Sequence, residues 1–274
     1  MIRRALFVLL LAVIGLYTVF PFYWAFVGSL QPESRIFASP AWYVPWPPVL
    51  ESYRQVFAST TFVRSLVNSA LAAGATTLLV LAAGSLAACG LARYRMRGRE
   101  LTLMVILAMT MFPQISVVGA VHTLVTRLGL YNTVAGLVVS YMLVTLPFTV
   151  WVLTNFFRSL PRELEESAYV DGATPFQTYW RILLPLSAPG LVTTGLLAFI
   201  CAWNEYLFAL SLTVTDRART VPVAVANFAG ASAHQTPWGA IMAASVVVTL
   251  PLVVLVLVFQ RRLVEGLTAG AVKG

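Results

Sequence analysis

Long apolar runs separated by short polar segments rich in arginine dominate the chain. No charged residue occurs between Ala5 and Pro32, and comparable uncharged runs recur downstream. Crossing the hydrocarbon core of a bilayer as a helix takes about 20 apolar residues. Six stretches reach that length, at approximately 5–29, 66–91, 101–121, 134–156, 184–210 and 239–260. The pattern predicts an all-α integral membrane protein, with residues 1–274 forming one transmembrane domain of six helices. Pro113, Pro147, Pro189 and Pro251 fall inside or beside these runs. Within lipid, neighbouring helices and Ser/Thr side chains satisfy the carbonyls that a proline frees. Met1-Ile-Arg-Arg resembles the basic start of a signal peptide. No small-residue cleavage site follows a short apolar core, so the first stretch reads as a retained span. No fixed-period repeat is visible.

Composition agrees with lipid as the solvent. Of 274 residues, 59% are hydrophobic and 10% charged, and the mean hydropathy is +0.84. A soluble domain carries about 25% charged residues. The net charge of +8 does not read as a nucleic-acid footprint, because the arginines sit at the ends of apolar runs rather than in one patch. They set orientation instead. Arg3, Arg4, Arg93, Arg95, Arg97, Arg99, Arg158, Arg162, Arg181, Arg261, Arg262 and Lys273 fall on one side. Arg35, Arg54, Arg64, Arg127, Arg217 and Arg219 fall on the other. The richer side is expected to be cytoplasmic, with both termini inside. Cys89 and Cys201 lie in apolar runs without metal-type spacing and read as small core residues.

The connections differ in character. The first external loop combines Pro40, Pro45, Pro47 and Pro48 with Trp42, Tyr43 and Trp46, which suggests a stiffened segment at the interface. The last external loop, about 213–238, is rich in small residues and reads as mobile. Residues 161–185 form an internal loop too polar to span. Pro161 suits a first helical position, and Glu163, Glu165 and Glu166 complement the start of a helix dipole. Gly172 can end that helix in a left-handed conformation. Thr174-Pro175-Phe176-Gln177 forms a capping box that starts a second short helix. The result is an elbow with Leu164, Ala168, Phe176 and Trp180 available as an apolar face. It could rest on the membrane surface or dock a soluble partner.

Single residues say less. Glu205 is the only carboxylate inside a predicted span. Intramembrane ionisable groups usually face a cavity, so Asn204 and Glu205 either line a path or hydrogen-bond a neighbouring helix. Gln114 is a weaker path candidate. His122 and His234 share no ligand spacing, and no metal site is expected. Trp203, Tyr206 and Phe208 could stack on a ligand ring but also suit core or belt positions. The sole lysine, Lys273, excludes a GxxxxGK[ST] phosphate loop, so this chain is not itself an ATPase. An intramembrane hydrolase would need a Ser/His dyad or paired carboxylates, and a secondary transporter would need repeats or a charge relay. Neither pattern is present.

Glu166-Ser167-Ala168, then Gly172, then Ile182-Leu183-Leu184-Pro185 resembles the cytoplasmic EAA signature of ABC importer permeases. The run from Glu165 to Pro175 is similar to the maltose-type carbohydrate subfamily, with Ser167 where alanine is commonest. Asn68-Ser69, Ala92-Arg93-Tyr94 with Gly98-Arg99, Met111-Phe112-Pro113, Trp203-Asn204-Glu205 and the tail 261–274 extend the likeness, the tail to the G-type subunit of maltose and trehalose transporters. The resemblance implies an inner-membrane subunit, bacterial or archaeal, of the type I importer fold, carrying a disaccharide or oligosaccharide. Glycerol 3-phosphate or another polyol is the alternative cargo. It implies a second, non-identical permease, two ATPase copies holding the ATP and magnesium, and an extracytoplasmic binding protein, with no cofactor on this chain. It assigns ATPase coupling to Glu165, Glu166, Ser167, Ala168, Asp171, Gly172, Ala173 and Pro185. Ala229, Gly230, Ala231 and Ser232 would touch the binding protein.

Overall fold

A computed structural model describes residues 2–228 and 236–269, and no strand occurs among them. In chain order the helices are α1 (Ile2–Ser29), α2 (Glu33–Ile36), α3 (Glu51–Ala58), α4 (Thr60–Arg93), α5 (Arg99–Thr110), α6 (Gln114–Arg127) and α7 (Val134–Ser159). Then come α8 (Glu163–Val170), α9 (Pro175–Thr178), a π turn (Tyr179–Leu183), α10 (Leu184–Leu186) and α11 (Ala188–Trp203). The series closes with α12 (Leu207–Leu212), α13 (Val221–Phe228) and α14 (Trp238–Ala269).

Among the described residues four helices, α1, α4, α7 and α14, are long and apolar enough to cross a membrane unbroken. Two further spans exist if each of two bent pairs counts as one. Helices α5 and α6 meet at 95°, and the segment Pro175–Leu186 meets α11 at 75°. The run predicted as one helix over 101–121 is therefore broken. Pro113 sits at the break in an extended conformation, φ −62° and ψ 122°. Its ring disfavours a helical residue before it and its nitrogen cannot donate. Pro147 and Pro251 lie inside continuous helices. The run 184–210 is likewise interrupted, at residues 204–206 between α11 and α12. Helix α4 begins at Thr60, so Asn68-Ser69 falls within it rather than at its start.

The chain divides into two compact units. One comprises Met1–Leu66 and Val221–Leu252. Its core is built from Val56, Phe62, Val221, Ala240, Ala243 and Ala244, and Phe62 meets Phe228 edge-on at 5.9 Å. The proline-rich loop is pinned by its aromatics: Gln31 Nε2 donates to the Trp42 carbonyl at 2.8 Å, and the Arg35 guanidinium lies 4.2 Å over the Trp42 ring.

The other unit comprises Val67–Thr220 and Val253–Gly274. In it α5 and α11 pack along α7, and α12 packs on both α6 and α7. Small residues permit this approach. A Cβ at Gly190 would lie 2.6 Å from the Phe156 ring, so α7 and α11 touch nearly backbone to ring. Asn68 donates to the carbonyls of Asp216 and Arg219 at 3.1 and 2.9 Å, tying the segment between α12 and α13 to α4. Cys89 is buried, as expected, whereas Cys201 is exposed on α11 and both thiols are free. The core reading of Cys201 is thus corrected: an apolar run does not reveal which face of its helix a residue occupies.

Candidate functional site

The elbow over 161–185 is built from local rules that the sequence states almost completely. Helix α8 carries Glu163, Glu165 and Glu166 in its first turn, where carboxylates meet unpaired N–H groups. Arg162 is the N-cap residue, so the helix starts two positions after Pro161. At the other end Gly172 has φ +81°. Its N–H donates to the Tyr169 carbonyl at 3.1 Å, and the Ala173 N–H donates to the Ala168 carbonyl at 2.9 Å. That pair of bonds is a Schellman closure. Thr174 and Gln177 then form the capping box in full: Thr174 N–H donates to Gln177 Oε1 at 2.8 Å, and Gln177 N–H to Thr174 Oγ1 at 3.3 Å. Downstream, Pro185 offers no N–H to the Arg181 carbonyl. The backbone there adopts a π turn, with the Leu184 N–H reaching back to Tyr179.

The elbow has two faces. Inward, Ala168, Tyr179 and Leu183 are buried, and Tyr179 and Leu183 pack with Ala88, Leu153 and Phe157. The Tyr179 hydroxyl is 2.8 Å from Ser85 Oγ. Glu165 also points inward. Its Oε1 lies 2.8 Å from Arg93 Nε in an ion pair whose side chains are 13% and 4% exposed. Arg93 Nη2 further donates to the Leu160 carbonyl at 2.9 Å. Outward, Val170 is 88% exposed, Phe176 66% and Trp180 60%. Glu163, Glu166, Ser167, Asp171 and Pro185 share that exposure, and Ala173 is half-buried. Burial, then Tyr94 and Glu165, holds the Tyr169 phenol above its ordinary pKa.

Of the predicted coupling residues, Glu166, Ser167, Asp171, Gly172 and Pro185 are exposed. Glu165 and Ala168 instead hold the elbow to the helices beneath it. The predicted apolar face divides in the same way: Ala168 goes inward, Leu164 is half-buried, and Phe176 and Trp180 face out. Sequence reasoning missed Val170 and the Arg93 partner of Glu165. Exposed apolar groups of this size suit a binding surface. A helix that lies on anionic lipid presents Lys or Arg on its polar face; here exposed Glu163, Glu166 and Asp171 outnumber exposed Arg162 and Arg181, a balance that suits a protein cleft better than an anionic headgroup layer.

The path candidates gather at the two helix breaks. Gln114 is the first residue of α6, directly after Pro113, and is half-buried. Asn204 is exposed and donates to the Ile200 carbonyl at 2.9 Å. Glu205 is buried, and its two oxygens accept from the Phe208 and Ala209 N–H groups at 2.8 and 3.1 Å. It caps α12 with a carboxylate, a strong use of charge in a dry setting. Trp203 and Phe208 are buried and Tyr206 is exposed. Glu205→Gln leaves one acceptor where two are used. The expected result is a loss of about 1–3 kcal/mol, read as a lower thermal midpoint of the purified protein together with reduced uptake. Unchanged values of both would remove any special role. His122 stacks edge-on against Tyr131 at 5.2 Å, and no group of metal-ligating side chains gathers among the described residues. Residues 229–232 and the last residues of the tail, 270–274, lie outside the described residues.

Comparison with known proteins decides the family. Residues 80–268 match the model of the binding-protein-dependent transport system inner membrane component. The chain belongs to this family. It is the permease subunit of an ABC importer, a multi-span membrane protein and not an enzyme. The permease is 42% identical over 274 residues to the trehalose transport system permease protein SugB of Mycobacterium tuberculosis, covering 99% of each chain. It is also 42% identical over 275 residues to the trehalose/maltose transport system permease protein MalG of Thermococcus litoralis, covering 100% of this chain and 98% of that one. A third relative is the sulfoquinovosyl glycerol transport system permease protein SmoH of Agrobacterium fabrum, 37% identical over 256 residues, covering 93% of this chain and 89% of that one. In fold the permease is similar to a chain of the bacterial ABC transporter that imports the acidic polysaccharide alginate. The TM-score is 0.81 at 23% identity, covering 95% of this chain and 96% of that one.

Proposed function

We propose that this permease carries a disaccharide or short oligosaccharide of the trehalose or maltose class into the cytoplasm. Full-length similarity to permeases named for trehalose and maltose supports that cargo. The elbow supports the mode of energy coupling, and it is the observation that carries the reading: an inner face braced by Arg93 and Glu165, and exposed Val170, Phe176 and Trp180 with the charged side chains of Arg162, Glu163, Glu166, Asp171 and Arg181 around them. In this reading these exposed side chains seat in a cleft of a cytoplasmic ATPase that binds the ATP and magnesium. Two ATPase copies closing on ATP draw this elbow toward that of a second, non-identical permease, and the spans pass from inward- to outward-facing. An extracytoplasmic binding protein delivers the sugar, with residues 229–232 as its contact. Both termini then lie in the cytoplasm and the permease sits in the inner membrane, the arrangement the arginine distribution favours.

Breaks in helices at membrane depth are tolerated where the freed backbone lines a cavity or is buried in protein. Gln114 opens α6 and Asn204 lies in the interruption between α11 and α12; α6 and α12 are in contact, and these two residues are our candidates for the sugar path. The relative named for sulfoquinovosyl glycerol transport favours a second reading in which the cargo is a derivative of a polyol, glycerol 3-phosphate being the simplest. Uptake of labelled trehalose, maltose and glycerol 3-phosphate tests both, comparing cells lacking the gene with cells in which it is restored. Loss and rescue for one disaccharide is the expected outcome. Loss and rescue for glycerol 3-phosphate alone would replace the sugar assignment, and no difference for any of the three would overturn it.

A further inference from the structure

Between the end of α4 at Arg93 and the start of α5 at Arg99 the chain reads Tyr94-Arg95-Met96-Arg97-Gly98. We propose that this turn is a binding site for the phosphate of an anionic phospholipid headgroup. Residues 95–101 line an open concavity of about 540 Å³. Charge in and beside it is one-sided. Arg99 and Arg158 both contact the Glu100 carboxylate, at 3.2 and 2.9 Å, so the local acid is already shared between two guanidinium groups. Arg93 is turned away to Glu165. Arg95 and Arg97 are exposed, and no carboxylate pairs with either among the described residues. Two free guanidinium forks beside a concavity match the oxygens of a phosphate, which each fork can bind through two N–H groups.

Position selects lipid over a soluble anion. In α4 no charged residue lies between Arg64 and Arg93, so the first charge after the apolar run, and the turn that follows it, fall on the headgroup side of the hydrocarbon. Its neighbours are amphipathic or apolar and face outward. Tyr94 and Met96 are exposed, and on α5 Leu101 and Met104 are 63% and 62% exposed. A tyrosine ring at the interface with arginines reaching outward from it is the arrangement that headgroup contact favours. Acyl chains would lie along Leu101 and Met104 while the phosphate meets Arg95 and Arg97. A protein partner with an acidic surface would use the charges but leave that apolar flank uncovered.

Each basic residue next to an anionic surface strengthens binding by about fivefold. The test is native mass spectrometry of the full-length permease purified with its co-expressed subunits and titrated with dioleoyl phosphatidylglycerol or dioleoyl phosphatidylcholine. The permease is expected to retain phosphatidylglycerol preferentially. Arg95→Gln/Arg97→Gln is expected to lose that preference by about tenfold or more. Arg95→Lys/Arg97→Lys keeps the charge and is expected to hold most of it, and Arg3→Gln/Arg4→Gln removes equal charge elsewhere and should hold all of it. Equal retention of the two lipids, or an unchanged preference in Arg95→Gln/Arg97→Gln, would overturn the proposal. Displacement of the lipid by excess inorganic phosphate would also overturn it, in favour of a soluble-anion site. So would loss of the ATPase subunit from Arg95→Gln/Arg97→Gln with its lipid preference intact, since that would make the turn a protein contact.

Discussion

Replacing Gly172 with valine is expected to reduce uptake at least tenfold while the protein still inserts and purifies in normal amount. The cause is backbone conformation rather than crowding. No atom lies within 4 Å of where a Cβ would stand, yet φ is +81°. A left-handed L-residue costs roughly 1–2 kcal/mol, and a β-branched one more. About 2 kcal/mol corresponds to roughly 30-fold in the population of the elbow's present shape. The strain falls on the two Schellman bonds that set the angle between α8 and α9, and so on the relative placement of Val170 and Phe176. Asparagine tolerates the left-handed region, so Gly172→Asn should retain a substantial share of uptake. If Gly172→Asn fails as badly as Gly172→Val, the glycine is needed because its partner's surface leaves no room for a side chain. Wild-type uptake in Gly172→Val would sink the elbow as the coupling element. The same strain limits the loss of thermal stability in Gly172→Val to about 2 kcal/mol, and the loss should be smaller in Gly172→Asn.

The elbow was legible because its signals are local: a glycine at a helix end and a threonine three residues before a glutamine. Each is decided within one turn of chain. The direction of side chains was not legible in the same way. Glu165 and Glu166 are adjacent, and about 100° of helix rotation separates them. That rotation sends one carboxylate to Arg93 and the other to solvent, and nothing within residues 161–185 says which. The apolar runs mark long helices for the same local reason: α1, α4, α7 and α14 each contain one of them, although α4 starts earlier and α14 ends later than its run. Pro113 and Pro147 look alike in sequence, each within an apolar run. Only Pro113 stands at a break, and the difference lies in what packs around each turn rather than in the turn itself. The capping role of Glu205 follows from the interruption of the helix at residues 204–206, which hydropathy does not report.

Removal of either member of the Arg93–Glu165 pair is expected to be the most destabilising single change in the elbow. The pair is nearly dry, and losing one partner strands the other charge in a poorly solvated site, at a cost of about 3–5 kcal/mol. Arg93→Ala should be the worse of the two, because it also leaves the Leu160 carbonyl, the last residue before Pro161, without its 2.9 Å donor. A lower thermal midpoint of the purified complex should accompany reduced uptake. Glu165→Gln keeps shape and removes charge, so it should lie between wild type and Glu165→Ala. The exchanged pair Arg93→Glu/Glu165→Arg should regain part of the lost stability, since it restores the attraction but not the Leu160 bond. These outcomes separate bracing from docking. If Glu165 acted directly on a partner, Glu165→Ala would lower uptake with an unchanged midpoint, and the exchange would rescue nothing. If it braces the elbow, midpoint and uptake fall together and recover together, because an outer knob transmits force only when its inner face is fixed to α4.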